Sequence, residues 1–191
     1  MSERKHLDQY YTPQHVADTL VNWYAANYPW PHSVLEPSSG MGAFCRAVRR
    51  AMPGVDMVGV DLDPKTEAVE VCDMHLKQDF LTLKADEGFD LIIGNPPFSE
   101  AEAHIRHAAA LVKDGGRVAL LLRLAFMESN KRASFWSEHR ARDVLVLRNR
   151  PSFTGSGTDS AAYGFFVFER GYRGATIVHP CWAPEIQEAA E

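Results

Sequence analysis

Short apolar runs rich in β-branched residues alternate along the chain with longer stretches whose apolar residues recur every three or four positions. Ser33-Val34-Leu35 reads as a strand, and the stretch after Gly42 as a helix to about Ala51. Residues 56 to 61 form a second strand ending in the acid Asp61, followed by a helix opened by Pro64 with Asp63 as its N-cap. Met74 to Gln78 is a third strand, and the unbroken apolar run Phe89 to Ile93 a strand buried on both faces. Glu100 to Lys113 carries Ala103, Ile105, Ala108, Leu111 and Val112 at helical spacing, and Asp114-Gly115-Gly116 ends it. Arg117 to Leu122, Asp143 to Arg148 and Tyr163 to Phe168 complete the strands, with a helix at Lys131 to Arg140 between. Ahead of all of these, Thr12 as N-cap and Pro13 at the first helical position open a helix with an apolar stripe at Val16, Leu20, Val21 and Trp23-Tyr24. Strand and helix in alternation predict a doubly wound α/β sheet. Residues 171–191 show no readable architecture.

Composition leaves this picture intact. With 191 residues, 46% hydrophobic and 24% charged, the chain reads as one globular domain spanning 1–191. Cys45, Cys72 and Cys181 lack metal-ligand or disulfide-framework spacing, so no metal is expected and a reducing cytoplasm fits. No secretion signal or membrane span is expected: the charged start lacks an apolar segment behind it, and Arg123 interrupts the longest apolar run, Val118 to Phe126.

Charge changes the picture locally. The net charge of −5 is awkward for a nucleic-acid binder, yet residues 123–150 hold seven basic and three acidic side chains. Arg123, Lys131, Arg132, Arg140, Arg142, Arg148 and Arg150 read either as a phosphate-binding face or as a solvated one.

Chemistry gathers at strand ends. After Phe89 to Ile93 and Gly94, the segment Asn95-Pro96-Pro97-Phe98 cannot continue a ladder, because each proline fixes φ and donates no hydrogen bond. It forms a stiff loop at the carboxyl end of a strand, where open α/β sheets bind ligands. Gly40 and Gly42 permit close backbone approach over the first strand, although Cys45 breaks the dinucleotide spacing G-x-G-x-x-G. Asp61 stands about 20 residues past that turn, the place of a ribose acceptor. Asp79 reads as a turn cap. His104 and His107 beside Glu100 read as a polar helix face rather than metal ligands. The polar, glycine-rich loop from Arg150 to Ser160 is long enough to be functional.

Asn95-Pro96-Pro97-Phe98, taken with Glu36-Pro37-Ser38-Ser39-Gly40-Met41-Gly42, resembles the S-adenosylmethionine-dependent amino-methyltransferases, in particular those that methylate N6 of adenine in DNA. The resemblance covers roughly residues 10 to 170. It implies a Rossmann-like class I methyltransferase fold, seven strands with the last antiparallel, and S-adenosylmethionine as cofactor. Tyr11 and Thr12 would meet its methionine part. Glu36, Pro37, Ser38, Gly40 and Gly42 would cradle it, with Glu36 answering its positive charge. Asp61, with Leu62 beside it, would take the ribose, and Asp79 and Phe80 the adenine ring.

In this family the Asn95 side-chain oxygen and the Pro96 carbonyl accept the two hydrogens of the target amine, Pro97 stiffens the loop, and Phe98 stacks on the base. Phe153 would stack on the extruded base, and Arg123, Lys131 and Arg132 would hold phosphates. The implied partner is DNA with the base flipped out of the duplex, RNA being the alternative. Methylation of a protein glutamine, and a silent cofactor- or nucleic-acid-binding module, are the other readings; a cytosine-ring enzyme would need a cysteine in the loop, and Pro180-Cys181 lies in the tail. Sequence-specific relatives carry an added target-recognition domain for which this chain has no room, so short specificity, a homodimer or a specificity subunit is expected.

Overall fold

The computed structural model describes residues 11–63, 65–148 and 160–182, the side chains of Thr66, Cys181 and Trp182 excepted. Helices α1 (Gln14–Asn27), α2 (Ala43–Ala51), α3 (Thr66–Val69), α4 (Ala101–Leu111) and α5 (Ala133–Glu138) flank one sheet. Its strands are β1 (Ser33–Glu36), β2 (Asp56–Asp61), β3 (Met74–Lys77), β4 (Phe89–Gly94), β5 (Val112–Arg123), β6 (Ala141–Leu147), β7 (Tyr163–Glu169) and β8 (Ile177–Trp182). Their order is β3-β2-β1-β4-β5-β7-β6-β8. Strands β1 to β5 pair in parallel, β7 runs antiparallel to both β5 and β6, and β8 is parallel to β6. Chain order reverses between β1 and β4, which is where such a sheet opens a crevice at its carboxyl edge.

Alternation along the buried strands divides the core into two layers. Val34, Leu91, Ile93, Leu121 and Phe165 face α1 and α2, whose Leu20, Val21, Tyr24, Phe44 and Val48 are buried against them. Leu35, Ile92, Leu120, Val144 and Phe166 face the other way, onto Ile105 of α4 and Phe135 of α5. At the amino edge Asp90 ties the central strands: it accepts from the backbone N–H groups of His32 and Ser33 at 2.9 Å each and pairs with Lys113 at 2.8 Å.

Four expectations change. The sheet has eight strands, because the unread tail supplies β8, and the antiparallel strand β7 is therefore followed by a parallel one. The helix expected from Pro64 is reduced to the single turn of α3, with Ala68 buried against Gly42, where a Cβ would sit 2.8 Å from the Ala68 Cα. Asp114-Gly115-Gly116 lies within β5, at an irregularity in its pairing with β4, since that strand starts directly after α4. His104 and His107 do not form a polar face. The His104 ring is buried and stacks on Phe80 at 5.2 Å, and His107 meets Phe80 edge-on at 4.9 Å while its Nε2 contacts the Leu83 carbonyl.

Candidate active site

The carboxyl ends of β1 and β4, the glycine turn and the segment before α1 border a cleft lined by Tyr11, Thr12, Glu36, Ser38, Gly40 and Asn95, among others. Glu36 ends β1 and is 1% exposed. Its Oε1 accepts the Ser38 N–H at 3.2 Å, and the Asn95 backbone N–H also donates to the carboxylate. Burial outweighs both donors and raises the Glu36 pKa well above 4.5. Gly94 leaves the room this carboxylate occupies: a Cβ there would lie 1.9 Å from Glu36 Oε1.

The glycine turn closes the cleft from below. Gly40 has φ +48° and Gly42 φ +78°, the left-handed region that glycine adopts without strain. Gly40 donates its N–H to Asp61 Oδ2 at 2.8 Å, and Asp61 Oδ1 accepts from Asp63 N–H at 2.8 Å. Asp61 thus holds the turn from the end of β2, with Leu62 exposed beside it. Tyr11 covers Gly40, its ring 3.4 Å from where a Cβ would be. Pro37 is buried under the turn and Ser38 is half-buried at the cleft.

Thr12 does not cap α1, whose N-cap is Pro13 without a side-chain bond. Its Oγ1 instead accepts from Asn95 Nδ2 at 3.1 Å, so the segment before the first helix holds the loop after β4. Pro96 is buried, Pro97 half-buried, and a single 3-10 turn over Phe98–Glu100 leads into α4. The Phe98 ring is half-buried against Tyr163 at 5.5 Å, and the Arg123 guanidinium lies 5.0 Å over it. Arg123 therefore reaches the loop through the aromatic ring.

Other expected residues stand elsewhere. Asp79 caps its own turn, Oδ1 accepting from Leu81 N–H at 2.9 Å. Phe80 is 3% exposed and packs on α4 rather than standing open at the crevice. Arg132 turns inward, donating to the Ala125, Phe126 and Glu128 carbonyls and lying 4.7 Å over the Phe126 ring, which takes it from the expected phosphate face; Lys131 is exposed. Arg140 and Arg142 start β6 at the edge opposite Asn95, so strand direction splits the basic stretch. Phe153 and Arg150 lie outside the described residues. The sequence reading missed Ser39 and His75: Ser39 Oγ and His75 Nε2 are 2.8 Å apart under the turn, and nothing in the β3 pattern marks His75.

No protein-family model matches the chain. A type II methyltransferase of a Paramecium bursaria Chlorella virus is 31% identical over 114 residues, covering 58% of this chain and 30% of that protein. One from Thermus thermophilus is 38% identical over 92 residues, 46% and 22% of the respective lengths. The chain thus spans less than a third of these relatives. Among solved structures, the methyltransferase subunit of a type I restriction-modification system from Streptococcus thermophilus superposes with a TM-score of 0.66 at 20% identity, over 85% of this chain and 45% of that one. A predicted O-methyltransferase from Agrobacterium tumefaciens gives 0.63 at 20% identity, over 91% and 90%. The fold is that of the class I methyltransferases. Among the described residues, no helix is long and apolar enough to cross a membrane.

Proposed function

We propose that this chain transfers a methyl group from S-adenosylmethionine to the exocyclic N6 amino group of adenine in DNA. The observation that carries the reading is the loop Asn95 to Phe98 beside the Glu36 cleft, linked to it by Asn95 itself, which lines the cleft and donates to Thr12. Two type II methyltransferases among the relatives support it.

The residues present fit the cofactor. A buried carboxylate lines the cleft where a cationic amino acid would sit, and Gly40, with positive φ, lines it beside Tyr11. When bound, S-adenosylmethionine supplies an electrophilic methyl group on a positively charged sulfur. Glu36, Ser38 and Gly40 hold its methionine part, and Asp61 and Leu62 border the ribose side.

The protein's own task is to make an amide-like amine nucleophilic. The adenine amino lone pair is delocalised into the ring, and two hydrogen-bond acceptors on its hydrogens localise it. The Asn95 carboxamide oxygen and the Pro96 carbonyl serve as those acceptors, held by Pro97 and by Thr12. Phe98 fixes the plane of the base, and Arg123 supports Phe98. The amino group of a paired adenine is out of reach, so the base enters flipped or single-stranded.

Digestion and mass analysis of DNA from cells expressing the chain tests this. N6-methyladenine is expected with the native chain and absent with Asn95→Ala, while calorimetry shows that variant still binding S-adenosylhomocysteine. Normal turnover by Asn95→Ala overturns the mechanism; methylation confined to RNA or to a protein glutamine overturns the substrate.

A further inference from the structure

Arg140, from the basic stretch 123–150, contributes to a second concave site. Pairing of Arg117 with Glu169 and of Arg123 with Tyr163 puts the two ends of β5 at opposite edges of the sheet, roughly 20 Å apart for six strand residues. At the edge away from Asn95, a cleft opens between the starts of β5 and β6 and the turn after β7. Val118, Phe168 and Tyr172 line it together with Arg140, Arg170 and Arg173.

The carboxylates around this cleft are already engaged. Glu138 pairs with Arg106 at 2.6 Å, and Glu169 with Arg117 at 3.0 Å and Arg142 at 2.9 Å. Arg170 holds Asp114 at 3.0 Å and the Val112 carbonyl at 2.6 Å. Arg140 and Arg173 are exposed and, among the described residues, form no ion pair. Two guanidiniums with unused donors above an apolar, partly aromatic basin suit a ligand that joins an oxyanion to a flat apolar body. Guanidinium forks match phosphate oxygens.

We propose that this cleft binds a nucleotide unit, with Arg140 and Arg173 on its phosphate and the base against Tyr172. The unit is either a free mononucleotide or the phosphorylated end of a strand. The site is separate from the methyl-transfer cleft, so its failure leaves the proposed reaction untouched.

Calorimetry of the whole chain with thymidine 5′-monophosphate tests it, S-adenosylhomocysteine being present to fill the other cleft. Saturable binding is expected, weakened about tenfold or more in R140E/R173E, a loss of at least about 1.4 kcal/mol. Both side chains are exposed, so the variant should melt with the parent, and its affinity for S-adenosylhomocysteine should be unchanged. Equal binding of thymidine, equally tight binding of inorganic phosphate alone, or no binding at millimolar concentration each overturns the proposal. Competition by a 5′-phosphorylated oligothymidylate assigns the site to strand ends, and its absence assigns it to free nucleotides; either supports the shared chemistry.

Discussion

Asn95 and Thr12, 83 positions apart, meet through a 3.1 Å hydrogen bond from the Asn95 carboxamide to the threonine hydroxyl. The bond directs Nδ2 toward the segment before α1 and so fixes the orientation of the Asn95 carboxamide. Thr12 is thus a positioning residue for the loop. Thr12→Val keeps the shape and removes the acceptor; with a net worth of about 1 kcal/mol per hydrogen bond, kcat is expected to fall about fivefold. Thr12→Ser should restore it, as the hydroxyl returns. Unchanged kcat in Thr12→Val, or no rescue by serine, would show that Asn95 is oriented without this bond.

Why that contact was illegible in the sequence is instructive. Thr12-Pro13 carries a strong local preference for a helix start, and the competing partner lies on a strand far along the chain. The loop itself was legible, because an apolar run stopped by glycine and two prolines leaves little conformational choice. The same holds for the glycine turn and for Asp61 at the end of β2. Strand β8 was missed for two reasons: it contains Pro180, and its Ile177 and Val178 are 54% and 49% exposed, so no buried run announces it. Edge strands tolerate both features, and β8 ends the sheet order. Phe80 and the two histidines were misplaced because burial between elements follows tertiary packing rather than residue type. Composition carries no strand direction, so the sequence alone does not divide the basic stretch between the two edges of the sheet.

Gly94 and Glu36 couple local geometry to pH. A methyl group at Gly94 would overlap the Glu36 carboxylate, so Gly94→Ala is expected to cost about 1–3 kcal/mol, read from denaturant midpoints. The carboxylate itself has a folded-state pKa raised above its unfolded value by burial. Its contribution to stability is therefore fully present below about pH 4.5 and is lost as pH rises through the raised value. Asp90 slopes the other way: burial opposes ionisation, but the Lys113, Ser33 and His32 donors win and bring its pKa to about 2, so its contribution is present above 3.8 and lost as pH falls toward 2. In Glu36→Gln the fall in stability above pH 4.5 should flatten while the acid limb remains. A cationic ligand favours ionised Glu36, so binding S-adenosylmethionine should release a proton in that window, visible as a buffer-dependent calorimetric enthalpy that Glu36→Gln abolishes. A buffer-independent enthalpy in the native chain would show that Glu36 keeps its charge state on binding.

Arg123 is drawn onto the Phe98 ring, with Tyr163 supporting the same ring from β7. Contacts of this kind contribute about 0.5–2 kcal/mol, so Arg123→Met, which retains bulk without charge, should lower turnover several-fold through a looser Phe98. Phosphate binding would make the same substitution weaken DNA affinity and flatten its salt dependence by about one contact. Measuring KM for DNA at several salt concentrations beside kcat separates the two roles: a fall in kcat at constant salt slope identifies support of the ring.

At the far side of the sheet, buried Asp143 joins three elements. The Tyr28 hydroxyl beyond α1 donates to its Oδ2, and the His179 ring on β8 contacts its Oδ1 at 2.8 Å. Burial first, then the Asp143 carboxylate, push the Tyr28 phenol well above its ordinary pKa, so it stays a donor at any physiological pH. Tyr28→Phe removes that donor while keeping the ring between Trp23 and Tyr24. It leaves a buried carboxylate short of one partner, an expected loss of about 1–3 kcal/mol in urea denaturation. His179→Phe removes the partner of Oδ1 and should also loosen β8, seen as faster amide exchange at Ile177 and Val178. Because both residues act on one carboxylate, the double variant should cost less or more than the sum of the singles; strict additivity would mean that Tyr28 and His179 do not communicate through Asp143.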